Sequence, residues 1–507
     1  MALPDLIEIV PLDKPVKAEI TVPGSKSITN RALILAALAG GETILKGALW
    51  SEDTQIMVEC LQELGFMVNV EPDPNESCNR TITVYGNGGN IPGGGTESQP
   101  EDLFVGNAGT AARFLAPFLC LGSGVYRLHG VPRMHERPQA ALFQALRELG
   151  YRVESENGND KLPVKIWGGR ADSPLPAEAS VTTERRTRSD APHPRCKVSI
   201  EESSQFASAL LLSAKQGGWK VEIVGENADE SPYVVMTSKL IEAFPKGGEF
   251  QIEPDASSGS YFWAAGLDAP MSPEVLEYSP QFGMNVPTRY LSNIEVLCWP
   301  RSGWQIDENF PNFQTMGPMA HGLTNFQKNL ADVANAGKAE IEKSVHSFIN
   351  SSKSEISRRH DLGDSIMTAI AIAPLAPWAF PEESVKFTDL GRLRMQECER
   401  VVALRTELTK CGAKVVEEGD TLTVYPSKLE DLHGAEIETY NDHRMAMCFA
   451  VLGLKVPGIK IKNPACVKKT FPNFFQKVAG PPPNGLGATI LDAKTGRKLT
   501  HEELFAD

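Results

Sequence analysis

One local pattern recurs three times in this sequence and restricts its fold more than any other feature. A segment with helical periodicity ends at Gly65, at Gly150 and at Gly412, and a short strand-like run follows each glycine. Glycine suits the position just after a helix, because it adopts the left-handed backbone conformation without steric strain. The recurrence indicates a repeated helix–strand unit, and short valine- and isoleucine-rich runs elsewhere favour a mixed α/β fold.

The rest of the chain divides into predicted helices, two polar stretches and a tail. Further helices are expected to begin near Ser27, Gly109, Glu136, Ser204, Tyr233, Asp364, Glu397 and Asp442. Residues 174–195 are rich in serine, threonine, arginine and proline and predict an exposed loop, whereas residues 267–360 show no clear repeat. Three consecutive prolines after Gly480 predict that residues 481–507 form a linker-like tail.

Length and composition restrict the class of protein. The 507 residues predict two or three domains, and 41% hydrophobic with 22% charged residues is a globular composition. No run of eighteen apolar residues occurs, so no membrane contact is expected. Residues 1–17 lack signal-peptide features, and the nine scattered cysteines contain no C-x-x-C pair, which favours reduced thiols over disulfides or a zinc site. We therefore expect a cytoplasmic location.

Basic residues at helix starts stand out against the formal net charge of −14, which argues against nucleic-acid binding. At 23–31, the turn P-G-S-K-S opens a helix whose free N–H groups and dipole attract an anion, while Lys26 and Arg31 add charge. The spacing is not that of a Walker A loop. For this segment alone, a plain N-cap with solvated cations is an equally good interpretation.

Two further segments repeat this arrangement. At 106–113, G-N-A-G-T-A-A-R places small residues before a helix that carries Arg113 on its first turn. At 132–138, P-R-M-H-E-R-P clusters cations at a helix start, where the helix dipole disfavours them. A bound anion would explain this cluster, and so would pairing with Glu136 or a neighbouring acid.

Three more polar segments lie before helices or turns. The hydroxyl groups of Ser203 and Ser204 suit either a helix cap or a phosphate site. The segment Y-N-D-H-R-M-A-M contains His443, although a lone histidine is more often structural than catalytic. Lys468 and Lys469 form a basic turn, which solvation alone would explain. Together, these segments predict a small, multiply anionic ligand.

In chain order, the segments read P-G-S-K-S-x-x-N-R, G-N-A-G-T-A-x-R, P-R-M-x-E-R-P, S-S-Q-F, D-A-S-S, Y-N-D-H-R-M-A-M and K-T-F-P. They closely resemble the signature segments of the 5-enolpyruvylshikimate-3-phosphate (EPSP) synthase family. The resemblance covers residues 8–265 and 361–478 and does not extend through 267–360.

The resemblance implies an α/β fold of two domains. Each domain holds three βαβαββ units in an inside-out α/β barrel, with the site in the interdomain cleft. Here it implies a first domain at 23–245 and a second domain built from 1–22 and 246–480. It also implies an enolpyruvyl (carboxyvinyl) transferase, which moves the enolpyruvyl group of phosphoenolpyruvate to a hydroxyl of shikimate 3-phosphate and releases phosphate. We expect small anionic substrates, no metal or other cofactor, and a monomer.

The resemblance also implies the site residues. Phosphoenolpyruvate carries a carboxylate and a phosphate, so its pocket needs cations, and the chemistry needs an acid for the methylene carbon and a base for the acceptor hydroxyl. The implied catalytic residues are Lys26, Asp364, Glu397 and His443. The implied substrate-binding residues are Ser27, Arg31, Asn107, Gly109, Thr110, Arg137, Ser203, Ser204, Gln205, Tyr233, Gln396, Arg400, Asp442, Arg444 and Lys469.

Three positions depart from the family pattern. Gln396 replaces the lysine of R-V-K-E-x-D/N-R, Arg392 replaces an asparagine, and Glu230 replaces the serine of S-x-P-Y. The family motif Q-G-D-x-R-F is not found within 267–360. Because these departures fall on the acceptor side, the alternative is a divergent homologue that acts on another hydroxylated anionic substrate, with or without phosphoenolpyruvate. A catalytically inactive homologue is a third interpretation, which the retained catalytic residues disfavour.

Overall fold

The computed structural model describes residues 3–170, 193–225, 231–266, 294–311, 355–375 and 384–506, together with the backbone of strands at 276–279 and 284–287. The chain divides into two compact units. We call Pro23–Glu253 the continuous unit, and Met1–Val22 with Pro254–Asp507 the discontinuous unit. Most of the predicted loop at 174–195 lies outside the described residues.

The mixed α/β prediction is confirmed by the strands and helices of both units. The described strands are β1 (Leu6–Ile9), β2 (Ala18–Ile20), β3 (Gly40–Leu49), β4 (Met67–Pro72), β5 (Asn79–Asn87), β6 (Glu101–Phe104), β7 (Val125–His129), β8 (Val153–Ser155), β9 (Val164–Trp167), β10 (Arg195–Ser199), β11 (Lys220–Val224), β12 (Gly248–Gln251), β13 (Leu276–Ser279), β14 (Met284–Pro287), β15 (Ile294–Val296), β16 (Glu355–Ser357), β17 (Val385–Thr388), β18 (Val415–Glu418), β19 (Thr421–Val424), β20 (Glu436–Ile437), β21 (Ile459–Lys462) and β22 (Ile490–Asp492).

Seven of the eight predicted helix starts lie within three residues of an observed start, whereas Glu136 is the last residue of a short helix and the next helix begins at Ala140. They are α1 (Lys26–Leu38), α2 (Glu52–Glu63), α3 (Gly109–Leu119), α4 (Pro132–Glu136), α5 (Ala140–Glu148), α6 (Ser204–Gly217), α7 (Pro232–Ala243), α8 (Ala256–Ala265), α9 (Ile366–Ile372), α10 (Arg400–Lys410), α11 (His443–Gly453) and α12 (Phe474–Ala479). Short 3-10 helices occur at Ile306–Asn309, Ala373–Leu375, Gly391–Met395, Leu429–Asp431, Pro464–Lys469 and Glu502–Leu504.

The three glycines of the repeated pattern end helices as predicted. Gly65, Gly150 and Gly412 have φ values of 85°, 88° and 88°, in the left-handed region. In each case the glycine N–H and the following N–H bond back to carbonyls of the last helical turn, as in Phe66 N to Leu61 O at 3.0 Å. This satisfies carbonyl groups that the helix end would leave without partners. The strands β4, β8 and β18 then begin within three residues of their glycine.

Each unit repeats one pattern of strand pairing. In the continuous unit, the sheets β12-β3-β5-β4 and β6-β7-β9-β8 both contain one parallel pair followed by two antiparallel pairs. In the discontinuous unit, β16-β17-β19-β18 and β20-β21-β1-β22 do the same. The stretch β16–β19, with its helices, reads in order as βαβαββ, and β6–β9 differs from this order by the additional short helix α4.

Buried helices place the polar signature segments. Every residue of α3 is buried, and in α11 every residue except Arg444 is buried. The apolar core of the discontinuous unit includes α9 and α11 and the phenylalanines at 471, 474 and 475. Because these helices are apolar along nearly their whole length, their polar side chains concentrate at the N-terminal ends.

The prediction of a linker-like tail at 481–507 is wrong. Strand β22 pairs antiparallel with β1, with Ile7 opposite Asp492, and completes a four-stranded sheet. Leu486, Leu499 and Leu504 are each at most 4% exposed and belong to the core of the discontinuous unit. The prolines suggested a linker, but the apolar residues beyond them supply enough burial to fold the segment.

The domain boundary predicted at residue 245 lies instead after Glu253. Strand β12 pairs in parallel with β3, with Phe250 opposite Leu45, and this pairing keeps residues up to Glu253 in the continuous unit.

Among the helices of the described ranges, none is long and apolar enough to cross a membrane.

Candidate active site

Lys26 opens α1 in the continuous unit and pairs with a carboxylate. Its Nζ lies 3.0 Å from Asp53 Oδ2, at the start of α2. The Lys26 side chain is 19% exposed, whereas that of Asp53 is 4% exposed. The ammonium group is therefore held at a fixed place while part of it still faces solvent. Ser27, the next residue, is half-buried.

Arg31 lies one turn further along α1, and its side chain donates hydrogen bonds to other groups of the protein. Its Nε donates to Thr237 Oγ1 at 2.7 Å and its Nη2 donates to Ser208 Oγ at 3.1 Å. Nη1 donates to the Ser27 carbonyl at 2.8 Å, and the guanidinium lies 5.0 Å from the ring of Phe114. Burial lowers the pKa of Arg31 to about 10, so it stays charged at neutral pH. Arg31 thus joins α1, α6 and α7.

Gly109 and Arg137 lie against each other. A Cβ atom at Gly109 would lie 2.7 Å from both Nη1 and Nη2 of Arg137, so the absence of a side chain makes room for this guanidinium. Arg137 Nη1 donates to the Asn107 carbonyl at 3.3 Å. Thr110 follows Gly109 on the first turn of α3 and is buried. The second and third basic segments of the sequence therefore form one cluster.

The Ser203–Gln205 segment begins α6. Ser203 is the N-cap, and its hydroxyl accepts from Gln205 N at 3.3 Å. Ser204 is 5% exposed. Gln205 Oε1 accepts from Arg113 Nη1 at 2.6 Å. The capping role left open by the sequence is therefore present here, and Gln205 is held by a cation.

Arg400 is the centre of the predicted residues in the discontinuous unit. It is 1% exposed, and its Nε donates to Asp442 Oδ2 at 2.7 Å. Its Nη2 donates to Glu397 Oε2 at 2.8 Å, and its Nη1 donates to Gln396 Oε1. Burial acts to lower the pKa of Arg400, but the charges of Asp442, Glu397 and Asp364 outweigh it and raise the pKa above its ordinary value.

Asp364 lies just before α9 and faces several arginines. Its Oδ1 accepts from Arg358 Nη2 at 2.7 Å, and its Oδ2 lies 3.2 Å from Arg444 Nη2 and 3.8 Å from Arg400 Nη1. Burial by itself would raise the pKa of Asp364, but Arg444, Arg358 and Arg400 hold it well below its usual range. The carboxyl is therefore ionised throughout the physiological pH range.

Glu397 is held between two cations. Besides Arg400, it faces Lys469, whose Nζ lies 3.2 Å from Glu397 Oε1. The Glu397 side chain is 16% exposed and that of Lys469 is 11% exposed. Lys469 is the last residue of the 3-10 helix Pro464–Lys469, so the basic turn of the sequence is largely buried rather than solvated.

The Asp442–Arg444 segment opens α11. Asp442 is the N-cap, and its Oδ1 accepts from Arg444 N at 2.9 Å. His443 is 2% exposed, with its Nδ1 3.8 Å from Asp442 Oδ1. Arg444 Nη1 donates to Ser257 Oγ at 2.9 Å, which links α11 to the D-A-S-S segment at the start of α8.

The discontinuous unit therefore brings together seven of the predicted residues through direct polar contacts. They are Asp364, Gln396, Glu397, Arg400, Asp442, Arg444 and Lys469. Cations and carboxylates alternate in this cluster, which suits a ligand that carries more than one negative charge.

Comparison with known proteins gives the family. The sequence model of EPSP synthase, described as 3-phosphoshikimate 1-carboxyvinyltransferase, matches residues 11–275 and 322–478. The chain belongs to the EPSP synthase family. A 3-phosphoshikimate 1-carboxyvinyltransferase of Trichormus variabilis is 34% identical over 494 residues, which cover 93% of this chain and 98% of the relative. The enzyme of the same name from Opitutus terrae is 34% identical over 509 residues, which cover 94% and 98%.

Solved structures of EPSP synthases and related transferases share the fold. EPSP synthase from Acinetobacter baumannii matches with a TM-score of 0.60 and 18% identity, over 96% of this chain and 99% of that chain. The enolpyruvyl transferase NikO from Streptomyces tendae matches with a TM-score of 0.55 and 13% identity, over 99% and 100%. The predicted two-domain α/β fold of enolpyruvyl transferases is thereby confirmed.

The structure describes two of the three residues that depart from the EPSP synthase pattern. Gln396 uses its side-chain oxygen to hold Arg400, so a neutral acceptor takes part in positioning the buried cation. Arg392 is half-buried in the 3-10 helix Gly391–Met395. The third, Glu230, lies outside the described residues. The neighbouring Ser231 is 5% exposed and begins α7, in which Tyr233 is half-buried.

Sequence reasoning missed Asp307, although a signal for it exists. Gln305-Ile306-Asp307-Glu308-Asn309-Phe310 keeps the glutamine, aspartate and phenylalanine of the family motif Q-G-D-x-R-F. Asp307 is 7% exposed, and its Oδ1 accepts from Ser365 N at 2.9 Å, next to Asp364. The exact motif is absent from 267–360, and this form of it with two substitutions was not recognised from the sequence.

Asp53 and Arg358 were also missed, and neither belongs to a quoted motif. Each is the ion-pair partner of a predicted residue, Asp53 of Lys26 and Arg358 of Asp364. The described ranges contain no group of three or more histidine, cysteine, aspartate and glutamate side chains arranged to hold a metal ion.

Proposed function

We propose that this protein transfers the enolpyruvyl group of phosphoenolpyruvate to a hydroxyl of shikimate 3-phosphate and releases phosphate. This reaction belongs to the shikimate pathway of aromatic amino acid biosynthesis. The main support is the joint presence of an ionised carboxylate, a second carboxylate and three cations in one cluster, in a chain of the EPSP synthase family. The relatives named above carry the name of this activity.

The cations would bind the carboxylate and phosphate of phosphoenolpyruvate. The proposed cations are Lys26, Arg137, Arg400, Arg444 and Lys469. Arginine binds carboxylate and phosphate through two parallel hydrogen bonds, and lysine acts as a point charge. Carboxylates already orient Lys26, Arg400, Arg444 and Lys469, and the Asn107 carbonyl orients Arg137, so little conformational entropy is lost when the anion binds.

Asp364 and Glu397 would carry the proton transfers. Asp364 takes the proton of the acceptor hydroxyl while the oxygen bonds to the substituted carbon of phosphoenolpyruvate, and Glu397 gives a proton to the methylene carbon. Bound phosphoenolpyruvate would share Arg400 and Lys469 with Glu397, and a carboxylate that loses cationic partners takes up a proton more readily. Phosphate then leaves from the tetrahedral intermediate as its C–O bond breaks, the methyl carbon returns a proton to Glu397, and the carbon–carbon double bond forms again. Lys26 and His443 are proposed as further polar groups.

The residues proposed to bind the acceptor differ from Arg31 in their role. The proposed contacts to shikimate 3-phosphate are Ser27, Ser203, Ser204, Gln205 and Tyr233. Arg31 would act mainly by holding α1, α6 and α7 together, because its guanidinium already donates to Thr237, Ser208 and a carbonyl. The remaining proposed substrate contacts are Asn107, Gly109, Thr110, Gln396 and Asp442.

The alternative of a different acceptor is less well supported. The relatives at 34% identity, which span nearly the whole chain, are named for shikimate 3-phosphate as the acceptor. Gln396 has a role in this cluster as a partner of Arg400, so the loss of the family lysine does not require a different substrate.

The deciding experiment is release of phosphate from phosphoenolpyruvate, measured with and without shikimate 3-phosphate. We expect release that depends on both substrates and that is abolished in Asp364→Asn, which keeps the size of the side chain. An exposed acid exchanged in the same way, Asp13→Asn, is the control. Release without shikimate 3-phosphate, or none with both substrates, would contradict the proposed reaction.

Three further properties complete the proposal. Glyphosate, which occupies the phosphoenolpyruvate pocket in this family, should inhibit the enzyme. The protein should be cytoplasmic, because all nine cysteines are free thiols, as expected in a reducing compartment. It should also act as a monomer.

A further inference from the structure

Arg358 is a buried arginine with a single side-chain partner. It is 9% exposed, and its Nη2 donates to Asp364 Oδ1 at 2.7 Å. Among the described residues, Asp364 is the one hydrogen-bond partner of the Arg358 side chain, and the Arg358 Nε has no partner. Arg400 and Arg444, by contrast, each bond to several groups. Burial of a charge costs free energy, so a buried cation that contacts a single carboxylate is expected to have a specific function.

The backbone fixes where this arginine stands. Arg358 directly follows β16, and its N–H donates to the Thr388 carbonyl at 3.1 Å, which continues the parallel pairing of β16 with β17. Ser357 N donates to Asp361 Oδ2 at 2.7 Å and closes the turn that leads to Asp364. The arginine and the aspartate are therefore held at the two ends of one short turn.

We propose that Arg358 is a positioning residue for the transfer reaction, which holds Asp364 by one oxygen so that the other oxygen accepts the proton of the acceptor hydroxyl. This inference rests on the proposed function, in which Asp364 is the base.

The two oxygens of Asp364 differ in a way that supports this role. Oδ1 accepts a short, charge-assisted hydrogen bond from Arg358, which occupies it. Oδ2 has longer ion-pair distances of 3.2 Å to Arg444 and 3.8 Å to Arg400, both of which are also proposed to bind the substrate anion. Oδ2 is therefore the atom available to a hydroxyl, and the step is balanced. The O–H bond of the acceptor breaks, its proton moves to Oδ2, and its oxygen bonds to the substituted carbon of phosphoenolpyruvate. The carbon–carbon π bond opens at the same time, and the methylene carbon takes a proton from Glu397.

The charged groups around Asp364 come from four elements. Arg358 follows β16, Arg400 is on α10, Arg444 is on α11, and Asp307 lies on the 3-10 helix Ile306–Asn309 with its carboxylate beside Gly363. When phosphoenolpyruvate binds, its negative charges offset Arg400 and Arg444. Arg358 then remains as the cation committed to Asp364, and keeps this carboxyl ionised next to the bound anion.

The test compares the pH dependence of kcat/KM for shikimate 3-phosphate, from phosphate release, in wild type and variants. In Arg358→Met, we expect the acid limb of the profile to move to higher pH by about one to three units, since an opposite charge at this distance lowers a carboxyl pKa by that amount. Arg358→Gln keeps an N–H donor without the charge and should show the same shift, and it serves if Arg358→Met does not fold. Arg358→Lys should return the limb toward wild type.

The neighbouring Arg359→Met is the matched control, because Arg359 is half-buried and its side chain makes no described polar contact. It should keep the wild-type profile. An unshifted acid limb in folded Arg358→Met and Arg358→Gln would overturn the proposal, however much activity is lost, because a merely structural role lowers the rate at all pH values. Wild type that releases no phosphate would instead refute the reaction itself, so the two failures are distinguishable.

Discussion

Asp442 shows how one side chain serves the fold and the site together. Its carboxylate caps α11 through Arg444 N and pairs with the buried Arg400 at 2.7 Å. Removal of one partner from a buried ion pair costs about 3–5 kcal/mol, because the other charge is left without compensation. Lost activity in Asp442→Ala would therefore report on folding as much as on chemistry, and less buried residues give clearer tests.

Lys26 is such a residue. We expect Lys26→Met to weaken phosphoenolpyruvate binding, measured by calorimetry, by about 2–3 kcal/mol, which is the value of a charge-assisted contact. The control is Lys46→Met, which removes an exposed pair with Glu249 at 2.7 Å. Unchanged affinity in Lys26→Met, with wild-type stability, would remove Lys26 from the site.

Gly109 tests the place of Arg137. In Gly109→Ala, the new methyl group would lie 2.7 Å from the Arg137 guanidinium, which must move. We expect a higher KM for phosphoenolpyruvate and inhibition by glyphosate that is weaker by about tenfold or more, since one charged contact is disturbed. Gly40→Ala is the control, because a Cβ atom there meets nothing within 4 Å. Equal glyphosate inhibition in both variants would place the anion elsewhere.

Asp307 predicts a pH-dependent effect on stability. Burial, and then the charge of Asp364, raise the pKa of Asp307 above its ordinary value. A carboxyl with a raised folded-state pKa stabilises the fold at low pH and loses this contribution as the pH rises through that value. Asp307→Asn keeps an acceptor for Ser365 N without the charge, so its Tm relative to wild type should be higher at pH 8 than at pH 4. The opposite trend would show that Asp307 is stabilised as a carboxylate.

At the scale of elements, the C-terminal segment bonds to the residues that follow the 3-10 helix of Lys469. Strand β22 closes the sheet β20-β21-β1-β22, and Ala506 N donates to the Pro472 carbonyl at 3.0 Å. Gln476 Nε2 on α12 donates to the His501 carbonyl at 2.8 Å. These bonds join the end of the chain to residues just after Lys469.

Leu504 measures how much this segment contributes. It is 1% exposed, and Leu504→Ala should lower the free energy of unfolding by about 2–5 kcal/mol, as for other buried leucines. Urea unfolding followed by tryptophan fluorescence checks this, with the exposed Lys494→Ala as control. A loss below about 0.5 kcal/mol, which is typical of surface positions, would show that the segment is not part of the stable core.

At the scale of the whole molecule, charge and surface composition favour a monomer. Among the described residues, the exposed large hydrophobic side chains of Met67, Phe104 and Val224 are on three different strands. A net charge of −14 also causes repulsion between copies. Light scattering with size-exclusion chromatography should give a mass near 55.2 kDa. A mass twice as large, independent of concentration, would contradict this expectation.

The sequence by itself determined the local features of this protein. Caps and turns of a few residues encode the helix ends at Gly65 and Gly150. They also encode the helix starts next to Ser27, Ser204 and Asp442. The signature segments identified the family for the same reason, since each is short and continuous. The signature segments also named the residues that the structure brings together around Arg400, although no spacing along the chain shows that they meet.

The tertiary structure alone decided which charged and polar groups become partners. Arg358 pairs with Asp364, Lys26 pairs with Asp53, and Arg31 bonds to side chains about 200 residues away, on α6 and α7. The tail was misread because β22 gains its stability from β1 at the other end of the chain. Burial removes water as a partner, so each buried charge must find another charge or polar group nearby in space. Distance along the sequence does not enter that requirement, and the sequence therefore does not reveal it.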